Sequence, residues 1–348
     1  MIPENIIEDF RNKINESKKP LVFFHDDADG LCAFLQFIKF STAKTKGVML
    51  KTRPQLAKSY ADIINDYNPD HVFVFDIALF EEELLEKINI PITWLDHHDI
   101  LHTKKINYIN PKMYEPKDNW PVSYWMYQIT KIDPWLAMVG SLADGMLPPI
   151  EKELLLKYPE LKIEKNEHKE KRLNYLYHSK IGWIYKLINN LLKGSGKELM
   201  QHIKLLKQIN SPYELTEQST VIAKYLIEQN QKIENEYEKL KDELNKLNYN
   251  KSLIPFIYET KGLSFTKEIA NELCHKYPNK LIIVGKKKNG LIKMSLRWNK
   301  DIRPVLKKAL LGFDNAWGGG HSFACGCCVK EKDYQKFEEN LFDQIISY

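Results

Sequence analysis

Apolar residues in the first half of the chain fall into short solid runs separated by longer amphipathic stretches. LVFF at 21–24, HVFVF at 71–75 and ITWL at 92–95 are apolar on both faces, the pattern of strands buried inside a parallel sheet. A further strand is expected at 48–51. Helical spacing between the runs predicts helices at 30–40, 55–67 and 80–88, followed by helices at 121–130 and 133–143 and a largely helical section to about residue 208. Residues 215–247 are strongly charged, carry apolar residues every three or four positions and contain no Gly or Pro, which reads as one long helix joining two domains, with a helix packed on either domain the equal alternative. Beyond residue 250 the pattern returns to strands at 252–258, 280–286 and 290–298, with helices at 263–276, 301–311 and 332–346. Asn289-Gly290 between the last two strands is a two-residue hairpin signal.

The fold class expected is therefore α/β: an N-terminal doubly wound parallel sheet joined by a helical linker to a smaller α/β domain. The expected boundaries are 1–212 with a helical extension, 213–249 for the linker and 250–348 for the second domain. A length of 348 residues allows two cores, and 43% hydrophobic with 28% charged residues is ordinary globular composition.

Composition narrows the setting more than the function. No apolar run approaches the roughly 18 residues that cross a bilayer, and residues 1–17 lack a signal-peptide core. The cytoplasm is the expected location, with no membrane partner. Of the five cysteines, Cys325, Cys327 and Cys328 crowd together. That spacing gives no disulfide framework and reads as a buried, reduced strand, a structural metal being the lesser alternative. The net charge of +5 suits an anionic substrate but excludes little.

The chemistry lies in four segments. HDDADG places His25, Asp27 and Asp29 directly after the first strand. The three alternate, so in extended chain they project from one face. Gly30 lets the backbone turn into the following helix. Asp76 follows HVFVF, Asp96-His97-His98 follows ITWL, and Asp144 sits in GSLADG at 140–145. In a parallel sheet the carboxyl ends of the strands share one edge, where ligands bind. Taken singly, an Asp after a strand is usually a turn or helix-cap residue, but several clusters at several strand ends should meet. Carboxylates crowded in this way repel unless a cation neutralises them. Oxygen and imidazole donors without cysteine favour Mn²⁺, Mg²⁺ or similar ions. The number of donors suggests a pair of cations about 3.5–4 Å apart, as in two-metal phosphatases and nucleases.

These motifs, in this order and approximate spacing, resemble those of the DHH phosphoesterase superfamily, particularly its RecJ-like and nanoRNase-like branches. WGGGHSFACG at 317–326 is similar to the glycine-rich GGGH segment of the DHH-associated domain, and MSLRW at 294–298 to the strand before it. The resemblance implies two manganese ions, with Mg²⁺ the alternative. His25 and Asp27 would hold one, Asp29, His97 and Asp144 the other, and Asp76 would bridge. It further implies that His98 contacts the scissile phosphate or leaving oxygen, with Asp96 orienting it.

In the second domain Gly318, Gly319 and Gly320 expose backbone N–H groups that let a phosphate or base approach, a plain flexible loop being the alternative. His321 can donate to phosphate, and Arg297 offers a planar fork. Trp298 is expected to be packed, while Trp317 is open to packing or base stacking. Lys286, Lys287 and Lys288 are expected to form a solvated hairpin edge, with steering of a nucleic-acid backbone the lesser alternative. The function expected is metal-dependent hydrolysis of phosphodiester bonds in single-stranded DNA, RNA or short oligonucleotides, with the second domain holding the nucleotide portion; a homodimer is compatible with it. A cyclic-dinucleotide phosphodiesterase is the close alternative. Pyrophosphatase or polyphosphatase activity ranks lower, since those relatives lack a GGGH segment. A non-catalytic nucleic-acid-binding replication scaffold is the alternative from another class.

Overall fold

The computed structural model describes residues 1–50, 55–101, 103, 105–194 and 196–346. The chain divides into two compact units, Met1–Asn230 and Gln231–Tyr348. Among the described residues no helix is long and apolar enough to cross a membrane.

The first unit opens with helix α1 (Glu4–Glu16), strand β1 (Pro20–His25), helix α2 (Ala28–Phe40) and strand β2 (Lys46–Leu50). A two-residue strand β3 (Gln55–Leu56), helix α3 (Ala61–Tyr67), β4 (His71–Phe75), the short β5 (Leu79–Phe80), β6 (Ile92–Leu95) and β7 (Asn107–Ile109) follow. The main sheet is entirely parallel in the order β2-β1-β4-β6-β7. Its solid apolar runs have the reason inferred above, burial on both faces. Val22, Phe24, Phe73 and Phe75 face a core shared with α1, α2 and the later helices. Leu21, Phe23, Val72, Val74 and Trp94 face a second core closed by Ile64 of α3 and by Leu84.

Two expected helices are corrected here. At 55–67 only Ala61–Tyr67 is α-helical, and 80–88 holds no α-helix. Instead β3 and β5 pair in a small parallel sheet. The Glu81 carboxylate fastens it, accepting from the Lys58 amide at 2.9 Å and the Gln55 side chain at 3.2 Å. Segments this short gain little from helix propensity alone, so the buried contacts of Leu56 and Leu84 decide their conformation.

Helices α4 (Val122–Thr130), α5 (Pro134–Ala143), α6 (Glu151–Lys157), α7 (Lys171–Tyr177), α8 (Lys180–Leu191), α9 (Gly196–Leu206) and α10 (Pro212–Thr216) complete the unit. Ser211 and Glu214 form a reciprocal capping box at the start of α10. The long helix α11 spans Val221–Leu244, shorter than the 215–247 expected, because the chain turns between the two helices with Gln218 at φ 52°. Its Ala223 and Leu226 belong to the first unit's core, and its Ile233, Tyr237, Leu240 and Leu244 to the second's.

The second unit holds β8 (Leu253–Glu259), α12 (Thr266–Lys276), β9 (Leu281–Lys288), β10 (Leu291–Arg297), α13 (Ile302–Ala309), β11 (Trp317–His321), β12 (Ala324–Lys330) and α14 (Tyr334–Ile346). Its sheet runs β11-β12-β10-β9-β8. Only β8 and β9 pair in parallel. Asn289 at φ 53° and Gly290 at φ 71° make the tight turn between β9 and β10. The glycine segment is an edge strand rather than a loop, with Gly318, Gly319 and Gly320 opposite Cys327, Gly326 and Cys325. Gly320 has φ 142°, and a Cβ there would stand 2.5 Å from the Ala324 carbonyl oxygen. Cys325, Cys327 and Cys328 are buried, and no disulfide joins them among the described residues.

Lys286 is a further correction. It is buried, and its ammonium donates to the carbonyls of Gly262 and Leu263, so it belongs to the interior of the unit. Burial holds its pKa below the usual lysine value. Lys287 pairs with Glu331 at 2.8 Å. Phe337 of α14 is fully enclosed beside the β10 and β12 side chains. Phe337→Ala is expected to cost about 3–5 kcal/mol, read as a lowered urea midpoint for the second unit.

Candidate metal centre

Strand register explains why the clusters meet. Phe24 pairs with Phe75, Phe75 with Leu95, and Leu95 with Ile109. The next residues, His25, Asp76, Asp96 and Asn110, therefore stand in one row along the carboxyl edge. The ladder carries one step past the strands: the Asp76 amide donates to the Leu95 carbonyl and the Asp96 amide to Ile109, each at 3.1 Å.

After Asp27, itself still extended, the chain turns into helix, which corrects the alternation argument for Asp29. Asp27 caps α2, its Oδ1 accepting from the Asp29 and Gly30 amides at 3.1 Å each. Asp29 is thus aimed by the first turn of a helix, because a capping carboxylate commits the chain to helix at once. Gly30 permits the tight entry, since a Cβ there would lie 2.7 Å from the His25 carbonyl oxygen. Asp29 is fully buried and also closes the start of α4, with Val122 N–H at 2.8 Å and Ser123 N–H at 2.9 Å on its two oxygens.

Among the described residues three groups of donors result, each with its atoms within 4.8 Å of one another: His25, Asp27 and Asp76; Asp29, His97 and Asp144; Asp76, His97 and His98. His25 Nδ1 stands 2.7 Å from Asp27 Oδ2 and 3.2 Å from Asp76 Oδ2. His97 Nε2 stands 3.1 Å from Asp144 Oδ2 and 3.5 Å from Asp76 Oδ1. His98 Nδ1 is 2.7 Å from Asp96 Oδ1 and 3.8 Å from Asp76 Oδ1. Asp76 is common to two groups, and all eight residues singled out in the first unit lie along this edge.

The electrostatics are those of charges packed out of water. Burial alone would lower the pKa of His25, but Asp27 and Asp76 raise it to about 12. His97 and His98 are likewise raised against burial, the first by Asp144 and Asp76, the second by Asp96 and Asp76. Burial pushes Asp29 up, reinforced by the charges of Asp144 and Asp76. It also pushes Asp144 up, with His97 opposing. Asp76 goes the other way: burial is outweighed by His25, His97 and His98, which hold it below the usual carboxylate range.

The donors fit a divalent cation. They are hard carboxylate oxygens and imidazole nitrogens, and the buried Asp76 Oδ1 has no hydrogen-bond partner. Asp76 also sits at φ 58°, a left-handed conformation that costs free energy in a non-glycine residue and tends to occur at functional sites.

Sequence reading missed the frame around His98. Asn110 donates to the His98 carbonyl at 3.0 Å and to the Tyr108 hydroxyl at 2.9 Å. Tyr108 reaches Asp96 Oδ2 at 3.4 Å, and Lys112 donates to the His98 carbonyl at 3.2 Å. Asn110 follows a strand just as Asp76 does, so the strand-end rule applied to it, but three-residue β7 is too short to stand out in the sequence. Asp26, 3.4 Å from His25 Nε2, was also missed.

The residues expected to bind substrate lie in the second unit. Arg297 ends β10 in register with Ala324, which pairs in turn with His321. The Arg297 guanidinium donates to Asn271 Oδ1 at 2.7 Å and to the Leu296 carbonyl at 2.8 Å. The backbone of His321 belongs to β11, and its side chain lies outside what the structure describes. Trp298 is buried, whereas Trp317 is 53% exposed beside the glycines.

No family model and no curated protein matches the chain. Among solved structures it is similar over 99% of its length to RecJ in complex with Mn²⁺ from Thermus thermophilus, at 15% identity and TM-score 0.68, covering 54% of that chain. It therefore spans about half the length of that protein. It is similar over 99% of its length to exonuclease RecJ bound to manganese, at 15% identity and TM-score 0.63, covering 94% of that chain. The DHH domain of a member of the s1p family of ribosomal proteins matches 98% of the chain at 14% identity and TM-score 0.64, with 89% of that chain covered. At these identities the likeness is one of fold.

The imidazoles with raised pKa must give up protons before they can hold a cation, so Mn²⁺ uptake is expected to release protons and tighten from pH 6 to pH 8. The linkage has a matching sign. Raised folded-state values for His25, His97 and His98 stabilise the cation-free fold fully below the unfolded histidine pKa of about 6.5, and that stability is lost as pH rises through the folded values. The melting-temperature increase on adding Mn²⁺ should therefore grow across this window. An increase independent of pH, with no proton release in calorimetry, would contradict this electrostatic reading.

Proposed function

We propose that this chain, which has a RecJ/DHH-like fold, is a metal-dependent phosphodiesterase that hydrolyses single-stranded nucleic acid or short oligonucleotides. The observation that carries the reading is the shared Asp76, grouped with His25 and Asp27 on one side and with His97 and His98 on the other, while His97 is also grouped with Asp29 and Asp144. In this reading His25, Asp27 and Asp76 hold one divalent cation, and Asp29, His97, Asp144 and Asp76 the other, with Mn²⁺ preferred. A bound pair of this kind supplies positive charge that polarises the phosphoryl group and acidifies water.

The protein's own part is positioning and proton traffic. Asp96 takes the Nδ1 side of His98 at 2.7 Å, so the proton that His98 exchanges with substrate is carried on Nε2. The backbone of His98 is pinned by Asn110 and Lys112, which keeps the ring from drifting as charge changes. Its raised pKa favours the imidazolium, the form that protonates a departing alkoxide. In the second unit the edge strand of three glycines and exposed Trp317 supports contact with a sugar-phosphate backbone and a base. The cysteines, none of them in a disulfide among the described residues, support a cytoplasmic setting.

Labelled single-stranded DNA, RNA, dinucleotides, cyclic dinucleotides and pyrophosphate, each with Mn²⁺, form the test panel. Asp76→Ala is expected to abolish hydrolysis of linear single strands or dinucleotides. Equal activity in wild type and variant defeats the assignment, and preferential turnover of cyclic dinucleotides moves the substrate class. His98→Ala should lower kcat on these substrates by about 10²–10⁴-fold. The loss should be much smaller on a p-nitrophenyl nucleotide ester, whose leaving group needs no proton. An equal loss on both would remove His98 from the role of acid.

A further inference from the structure

Strand alternation sorts the side chains of the second unit's sheet onto two faces. Ile292, Met294 and Leu296 of β10 and Cys325, Cys327 and Val329 of β12 turn to a core closed by α13 and α14. Ladder pairing places the intervening residues in rows on the opposite face. Lys288, Leu291 and Lys330 form one row, and Lys293, Cys328 and Trp317 the next. Ser295, Gly326 and Gly319 form a third, and Arg297 and Ala324 belong to a fourth. On β9 this face is covered, for Ile282 and Val284 pack with Ile269, Ala270 and Leu273 of α12. Helix α12 also borders β10, where Ser295 Oγ lies 3.1 Å from Thr266 Oγ1.

Across β12 and β11 the same face is open. A Cβ at Gly319 would meet nothing within 4 Å, and one at Gly326 only the Met294 carbonyl oxygen at 3.8 Å. At Gly318, which faces the helices, a Cβ would stand 2.7 Å from the Leu310 side chain. Trp317 keeps half its surface in solvent, although burial is the usual fate of an indole. Lys288 and Lys293 are exposed and Lys330 is half-buried. Strands β10, β11 and β12 contain no Asp or Glu. On the helix-covered face Lys287 is paired with Glu331, whereas among the described residues no ion pair joins Lys288, Lys293 or Lys330 to a carboxylate. The open face is thus a shallow trough with a glycine floor, an aromatic wall and unmatched positive charge.

We infer that this trough is a track for single-stranded nucleic acid, on which Trp317 stacks a base while Lys293, Lys330 and Lys288 take successive phosphates, so that the protein selects strands longer than a dinucleotide. Unmatched cations attract a polyanion, and an exposed indole offers the stacking that every base accepts. A duplex, with its bases turned inward, cannot use Trp317. Neighbouring side chains across a ladder stand about 5 Å apart, which puts the Lys293 and Trp317 positions about 10 Å apart on either side of Cys328, within reach of one nucleotide. Successive rows are about 6.5 Å apart along the strands, close to the phosphate step of an extended single strand. From the Arg297 row to the Lys330 row is three such steps, a length of about 20 Å, which accommodates about four nucleotides. The choice of nucleic acid over other polyanions rests on Trp317 and on the phosphodiesterase reading above.

The full chain, loaded with two equivalents of Mn²⁺, is titrated into fluorescein-labelled phosphorothioate oligo(dT) of two to eight nucleotides, a probe that resists hydrolysis. Affinity is expected to climb with length to about four nucleotides and then to level off. Trp317→Ala should weaken binding of the longer strands about 5–140-fold, with little effect on the dinucleotide. Lys293→Gln and Lys330→Gln should each lower the slope of log affinity against log NaCl by about 0.7. The exposed Lys307 and Lys308 of α13 serve as the control for net charge, and Lys307→Gln with Lys308→Gln should leave affinity and slope unchanged. Wild-type affinity and slope in the Lys293 and Lys330 variants, an equal loss in the control, or polyglutamate bound as tightly as oligo(dT) overturns the proposal. Binding is read without turnover, so the two readings fail separately. A protein that binds long strands on this face but hydrolyses none loses the phosphodiesterase assignment and keeps the track. One that hydrolyses oligonucleotides while all three variants bind as wild type does the reverse.

Discussion

Like charges confined at the carboxyl edge of a parallel sheet are the constraint on which the first unit is organised. Asp27, Asp29, Asp76, Asp96 and Asp144 come within reach of three imidazoles, in a place where water cannot screen them well. Such an arrangement persists only if each carboxylate is matched by a cationic partner or a hydrogen-bond donor. Asp29 has the amides of α4, Asp27 those of α2, and Asp96 has His98 and Tyr108. Asp76 has the His25 imidazole on Oδ2, while its Oδ1 faces His97 and His98 at 3.5 and 3.8 Å without a hydrogen bond, and so marks where positive charge is most wanted.

The surrounding fold serves this edge. The sheet is buried on both faces, which fixes strand register, since a slip of one residue would exchange the side chains of two differently shaped cores and draw the polar residues beyond the strand ends into them. Register in turn sets His25, Asp76, Asp96 and Asn110 in one row. Helices α2 and α4 do double duty, for their first turns supply amides that orient the same carboxylates. The His97 ring has its own brace in the Asn119 carbonyl, 3.4 Å from Nδ1.

Much of this was legible in the sequence wherever a signal was local. Solid apolar runs marked β1, β4 and β6, and the polar residues after them marked the site. Asn289-Gly290 marked its hairpin. The expectations failed where tertiary contacts overrule local preference: 80–88 has helical spacing, yet Leu79 and Phe80 pair with β3 instead. Lys286 lies in a run of lysines that reads as solvated, but strand alternation turns it inward to two carbonyls. Asn110 and Tyr108 were missed because the strand that positions them is too short to show a period.

Residue order alone specifies which residue types stand at the ends of which strands, because burial demands apolar runs and chemistry demands polar residues just beyond them. It also specifies the α/β class, through the alternation of those runs with amphipathic helices. Packing in three dimensions was needed to establish that Asp27 caps a helix, that Asp29 closes another, and that Asp76 is shared between two donor groups. It was needed equally to set Lys293 and Trp317 on either side of Cys328. The reason is the same in each case: such contacts are set between segments that meet only on folding, and no local preference of a residue encodes its partner.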